Sequence, residues 1–298
     1  MRVLVTGATG LIGRHTLPLL REHGHGVRTF QRSPTTDSES IQGDVQTDTG
    51  KLCRAAEGCG AVLHLAGRGD VGESRRDPVG YAELNATGAL HALEAARAAG
   101  AVFILASSQR VYPLHAGTCG EDAPLAPDSP YGYSKWVAEL WCRMVSEQFG
   151  VASRVLRFFS VYGPGQQANG NSGVVTIFAR AALEHRPLIV QSAGRRDFTD
   201  ARDVAQGIVA AIEHAQREGG YRVFNIATGV GTTFGELAEA IVRLADSSSP
   251  VEVRLGELEG RDLVADMRRA RDELGFSACV PLLDGLQRYI QWLRRNCS

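Results

Sequence analysis

Short β-branched runs alternate with longer stretches of helical period along the first half of the chain. Strand candidates fall at 2–6, 27–30, 61–66, 102–106, 153–159 and 223–226, with helical stretches at 11–23, 81–99 and 130–149 between them. Val102-Phe103-Ile104-Leu105-Ala106 is apolar without a break. Such a run suits a parallel strand covered on both faces, where no alternation is needed. The strand–helix–strand order predicts an α/β chain built on a doubly wound parallel sheet. Helix 130–149 carries its own punctuation: Ser129 as N-cap, Pro130 in the first position and Gly150 as the stop. After about residue 165 the texture changes. Residues 163–173 read as a loop rich in turn formers, and shorter strands then mix with helices. Among these, a capping box, Thr233-Phe-Gly-Glu236, opens a helix over 233–246.

With 298 residues, 44% of them hydrophobic, the chain suffices for one large α/β domain with an appended lobe. Thirty-two basic and 33 acidic residues leave a formal charge of −1. That balance offers no general attraction for nucleic acid or an anionic membrane. The apolar runs are shorter than the ~20 residues of a bilayer span. Met1–Gly7 meets a glycine too early for a signal-peptide core, so a cytoplasmic protein is expected. Six cysteines, at 53, 59, 119, 142, 279 and 297, form no Cys-x-x-Cys pair, and the histidines show no ligand spacing. Reduced thiols and no metal are the expectation.

Three features carry chemistry. Gly7-Ala8-Thr9-Gly10-Leu11-Ile12-Gly13 follows the first strand directly. Glycines there allow a tight turn into a helix and close backbone approach to a pyrophosphate. Alone the trio fits any strand-to-helix turn; its place in the first ten residues supplies the context. Tyr131 and Lys135 stand four apart on a predicted helix and share a face, while Tyr133 points away and is expected to pack. A nearby ammonium favours the phenolate of a tyrosine, which otherwise titrates near ~10. An exposed Tyr–Lys pair is also ordinary helix surface. Ser107-Ser108 end the strand 102–106, where side chains of a parallel sheet face the ligand crevice or simply cap the strand.

Taken together these features resemble the extended short-chain dehydrogenase/reductases, in particular the NAD-dependent epimerase/dehydratase family. Further blocks carry the resemblance across nearly the whole chain: Gly43-Asp44-Val45, Val62–Gly67, Val71-Gly72-Glu73-Ser74 with Pro78, Tyr81, Asn85 and Gly88, and Arg157–Gly165. Arg196-Asp197-Phe198, Asp203-Val204, Phe224–Gly229, Ala265-Asp266 and Leu274-Gly275-Phe276 continue it. Val71–Ser74 with Pro78, Tyr81, Asn85 and Gly88 is similar to UDP-glucose 4-epimerases. The resemblance implies a Rossmann-like sheet over 1–165 plus about 203–228, and a smaller mixed α/β C-terminal substrate lobe over 166–202 plus 229–298. It implies Tyr131 as general base or acid on a substrate hydroxyl, Ser108 bonded to the same oxygen, and Lys135 on the nicotinamide ribose. NAD or NADP would lie along Gly7, Thr9, Gly10, Leu11, Ile12, Gln31, Arg32, Asp44, Val45, Leu65, Ala66, Gly67, Asn85, Ala106, Ser107 and Phe158. A substrate, expected to be a nucleotide sugar, would meet Gly69, Ser74, Ser108, Gln109, Ser160 and Arg196. A homodimer is implied through helices 81–99 and 130–149, where Trp136, Leu140 and Met144 recur at spacing four.

Departures from the family narrow the reading. Dehydratases carry an Asp-Glu pair after the catalytic hydroxyl residue, and here those positions are Gln109 and Arg110. UDP-sugar epimerases carry asparagine where Ser160 stands, and their C-terminal Arg–Pro-Gly-Asp block is altered over 257–262. NAD-specific members place a carboxylate ~20 residues past the glycine turn. Gln31 and Arg32 occupy that place, so both dinucleotides stay open. The expected function is a nucleotide-sugar 4-epimerase. A keto-sugar reductase and a non-catalytic cofactor-binding scaffold are the alternatives.

Overall fold

Seven strands hydrogen-bond in parallel in the computed structural model, which describes residues 1–34, 38–114, 116–166, 173–255 and 262–296. From one edge the order is Tyr221–Ile226, Ser153–Phe158, Val102–Ser108, Ala61–His64, Arg2–Thr6, Gly26–Gln31 and Ser40–Gln42. The chain winds outward in both directions from the junction of Arg2–Thr6 with Ala61–His64. A crevice opens there at the carboxyl ends of the strands.

The uninterrupted apolar strands explain the layering. Along Val102–Ser108, Phe103 and Leu105 enter one core while Ile104 and Ala106 enter the core on the opposite face. Leu4 and its neighbours Val3 and Val5 divide in the same way. Helices Thr49–Ala56, Gly88–Ala99 and Pro130–Phe149 supply the first core through Leu52, Leu93 and Val145. Leu11–Glu22, Ala201–Arg217 and Arg268–Leu274 supply the second through Leu20, Ile208 and Ala270. Each such fully buried Leu or Ile contributes about 1.5–3 kcal/mol relative to exposure.

A second sheet of four strands has the order Gly231–Thr233, Arg195–Asp197, Leu263–Ala265, Gly117–Cys119. Its last strand comes from the first half of the chain. Helices Val174–Leu183, Phe234–Leu244 and Leu282–Asn296 enclose a separate core beside it. Asp197, buried, accepts Thr228 N–H at 2.9 Å and Gly229 N–H at 2.8 Å, which ties this sheet to the end of the large one.

The expected caps are present. Ser129 Oγ accepts Gly132 N–H at 3.3 Å, Gly150 closes that helix at φ +73°, and Thr233 and Glu236 form a reciprocal capping box. Helix 81–99 differs from expectation. It begins at Pro78, because Asp77 caps it by accepting Gly80 N–H at 3.0 Å, and one π-helical turn, Glu83–Thr87, interrupts it. Residues 167–172 of the expected loop and 257–261 of the altered block lie outside the described residues.

Candidate active site

Two adjoining clefts open at the carboxyl ends of the strands. Gly7, Thr9, Gly10, Gln31, Arg32, Asp44, Val45, Leu65, Ala66 and Gly67 line the first. Its floor depends on glycine. Gly7 has φ +69°, and a Cβ there would lie 2.5 Å from Ala66 N. This bare turn ahead of helix Leu11–Glu22 is the cradle that a pyrophosphate needs, and the residues present fit a dinucleotide. Arg32 is exposed at the rim and has no ion pair among the described residues. Gln31 Nε2 reaches Ser33 O at 3.4 Å.

The second cleft is lined by Ile12, Gly69, Ser107, Ser108, Gln109, Tyr131, Phe158, Ser160 and Arg196, with Phe198 and Phe234 at its far end. Ser108, on the last position of its strand, lines this cleft together with Tyr131. Ser108 Oγ also accepts Arg110 N–H at 3.2 Å, which leaves its own proton for the tyrosine oxygen. Burial pushes the Tyr131 phenol above its usual range, while the Ser108 hydrogen bond and the Arg110 charge pull it down.

Lys135 is buried one helical turn after Tyr131. Its Nζ donates to Ala106 O at 2.8 Å and would be 3.3 Å from a Cβ built on Gly67. Burial lowers its ammonium to about 8, with Glu139 acting in the opposite sense. One turn along the helix, Glu139 accepts Ser107 Oγ–H at 2.5 Å and pairs with Arg157 through contacts of 3.0 and 2.6 Å. Arg157 also donates to Tyr112 OH at 2.8 Å and to Glu121 O at 3.0 Å. Glu139 and Arg157 are buried, so the network closes a charge pair inside the protein directly behind the Ser107–Ser108 strand end.

Several expected contact residues are committed internally. Asn85, on the π-helical turn, accepts Arg68 N–H at 2.9 Å and donates to Arg68 O and Ser134 Oγ, both at 3.0 Å. It splices the loop after Ala61–His64 to the Tyr131 helix. Ser74 is buried with its hydroxyl on Val71 O at 2.7 Å, and neither it nor Leu11 lines a cleft. Tyr133, expected to pack, is 52% exposed, because its neighbours on that face of the helix also point outward. Sequence reading missed the Glu139–Arg157 pair as a support of the site. Its one local signal was a charged residue inside a strand covered on both faces, a place where charge needs a partner.

Gln109 donates through Nε2 to Ser160 Oγ at 2.9 Å, so these two neutral groups form one wall of the cleft. At the other end Phe198 and Phe234 meet edge to face with centroids 6.2 Å apart. The Arg196 guanidinium lies 5.5 Å from the Phe234 ring centroid.

A glycine cradle, a hydroxyl pair and a buried lysine on one parallel sheet define an enzyme of the extended short-chain dehydrogenase/reductase class. The chain belongs to the NAD dependent epimerase/dehydratase family, which it matches over residues 3–227. It is 32% identical to the UDP-glucose 4-epimerase of Mycolicibacterium smegmatis, over 99% of both chains. Among solved structures it is similar to MoeE5 in complex with UDP-glucose and NAD, at 31% identity, full coverage of both chains and a TM-score of 0.90. MoeE5 has also been solved with UDP-glucuronic acid and NAD. The UDP-glucose 4-epimerase of Thermotoga maritima, solved with UDP-glucose, gives 27% identity, full coverage and a TM-score of 0.89.

Proposed function

We propose that the protein is an NAD(P)-dependent nucleotide-sugar 4-epimerase of the cytoplasm, with 1–165 plus about 203–228 holding the dinucleotide and 166–202 plus 229–298 the sugar nucleotide. The observation that carries this reading is the Ser108–Tyr131 hydroxyl pair at the wall of a cleft whose far end presents Arg196 and two aromatic rings. A sugar hydroxyl placed against both oxygens gives its proton to ionised Tyr131, while Ser108 holds that hydroxyl in place. Lys135, buried beside Gly67 on the helix that carries Tyr131, holds the dinucleotide side of the site, and the Arg110 charge favours the Tyr131 phenolate. Bound NAD or NADP supplies the hydride acceptor and donor, which no side chain provides. Tyr131 then returns the proton to the re-formed alkoxide, and Arg196 holds the diphosphate while the sugar turns. The wall leaves room for that turn, since a Cβ on Gly69 would meet no atom within 4 Å. Gln109 and Ser160 are neutral, so neither of them supplies an acid for loss of water. Purified protein is expected to carry bound dinucleotide and to work without added cofactor. A need for stoichiometric NAD(P)H would transfer the assignment to a reductase.

Cofactor choice turns on Arg32. An exposed guanidinium that makes no ion pair among the described residues can pair with a 2′-phosphate, so the cleft accepts NADP as well as NAD. Arg32→Ala is expected to weaken NADP roughly 10- to 100-fold and to leave NAD unchanged. Equal losses for both in a fluorescence titration would mean that Arg32 only positions the loop.

A homodimer is the assembly we infer. On helix Pro130–Phe149, Tyr133, Val137 and Leu140 form an exposed row at helical spacing, while Trp136 and Met144 turn partly into the protein. A second copy of this helix covers such a row by two-fold symmetry. Light scattering should give about twice 32.0 kDa; a monomer mass at micromolar concentration contradicts it.

A further inference from the structure

One guanidinium in the substrate cleft lacks a matched partner. Arg110 lies on the 3-10 turn Gln109–Val111, immediately after the catalytic strand end, and lines the same cleft as Ser108 and Tyr131. Its side chain is only 21% exposed, and its buried Nε makes no hydrogen bond among the described residues. The Asp128 carboxylate stands 3.8 Å from Nη2, beyond hydrogen-bond range. A carboxylate that matches an arginine takes two N–H groups side by side at about 2.7–2.9 Å. Buried donors left unmet cost free energy, and an anion placed against them recovers it.

The other charges facing this cleft are engaged. Asp70 accepts Glu73 N–H at 2.5 Å as the cap of a short helix. Glu73 accepts Arg68 at 2.5 Å and the Tyr81 hydroxyl at 3.0 Å. Arg196 lines the same cleft, with its guanidinium 5.5 Å from the Phe234 ring centroid. The cleft therefore has two cationic poles, one at the aromatic end and one beside the reacting position.

We propose that Arg110 recognises a carboxylate on the sugar, and that the substrate class is a nucleoside-diphosphate uronic acid. This rests on the epimerase reading above and deepens it. In a hexose that reacts at C4 the neighbouring carbon C5 carries C6, whereas the diphosphate hangs from C1 across the ring. C6 is the position where a sugar can present an anion beside the Ser108–Tyr131 pair while Arg196 takes the diphosphate. MoeE5 has been solved with both UDP-glucose and UDP-glucuronic acid, so likeness to it leaves the choice open. Arg110 makes the choice in this chain.

The test compares kcat/KM for UDP-glucuronic acid and UDP-glucose in the wild type, Arg110→Gln and Arg110→Lys. The wild type should favour the uronic acid by at least about tenfold, the worth of one charge-assisted hydrogen bond. Arg110→Gln should reduce that ratio roughly 10- to 100-fold. Arg110→Lys should reduce it less, because an ammonium keeps the charge without the two-pronged geometry. Melting curves check that the variants fold, and if the Gln variant does not, the Lys variant alone gives the readout. A wild-type preference for UDP-glucose overturns the proposal. So does an unmoved ratio, which is also the result if Arg110 serves the diphosphate common to both. If neither sugar nucleotide is epimerised, the epimerase reading itself fails and takes the proposal with it, a result distinct from UDP-glucose turnover with a fixed ratio.

Discussion

Tyr131→Phe is expected to lower turnover roughly 10²- to 10⁴-fold, the range that a positioned acid–base group contributes. Dinucleotide affinity should stay within about twofold, because the ring keeps its place. Tyr131 meets the Tyr81 ring edge-on with centroids 6.3 Å apart, and that contact needs no hydroxyl. Only the hydroxyl that faces the cleft beside Ser108, with its transferable proton, is lost. Ser108→Ala should cost less, since it removes one hydrogen bond to an oxygen whose proton moves through Tyr131. Steady-state kinetics beside a cofactor titration separate the two effects. More than a third of wild-type turnover in Tyr131→Phe would remove this residue from the proton transfer.

Glu139→Ala should be the most damaging change to stability. It strips Arg157 of its carboxylate and Ser107 of its acceptor, both inside the protein. An arginine left buried without its counter-charge costs about 3–5 kcal/mol. In a chain of this size that corresponds to a fall in Tm on the order of 10 °C. The double change Glu139→Leu with Arg157→Met should cost less than Glu139→Ala alone, because no charge is then stranded. Chemical denaturation of the three variants decides the matter. A loss under about 1 kcal/mol for Glu139→Ala would mean that water reaches the guanidinium.

The sheet was legible because its residues are read locally. Apolar runs such as Val102–Ala106 need both faces covered, and Ser129, Pro130, Gly150 and the Thr233–Glu236 box act within a few residues of themselves. What escaped is what only the folded chain brings together. Gly117–Cys119 becomes a strand by pairing with Leu263–Ala265, far along the chain. Glu139 finds Arg157 across a helix–sheet interface. Asn85 and Ser107 have the right composition for a cleft, yet Ser134 and Arg68 claim the first and Glu139 the second. Residue type and spacing show that a polar group is near a strand end. They do not show which neighbour takes its hydrogen bonds.

In the proposed reaction a hydride leaves one sugar carbon and returns to that same carbon within one binding event. UDP-glucose and UDP-glucuronic acid, each carrying deuterium at C4, test it most directly when incubated with purified enzyme and no added cofactor, followed by NMR. The expected product is the C4 epimer of the accepted sugar with deuterium retained at C4, and no free reduced cofactor accumulates. Deuterium in released NAD(P)H, or product formed only in proportion to added cofactor, would contradict it.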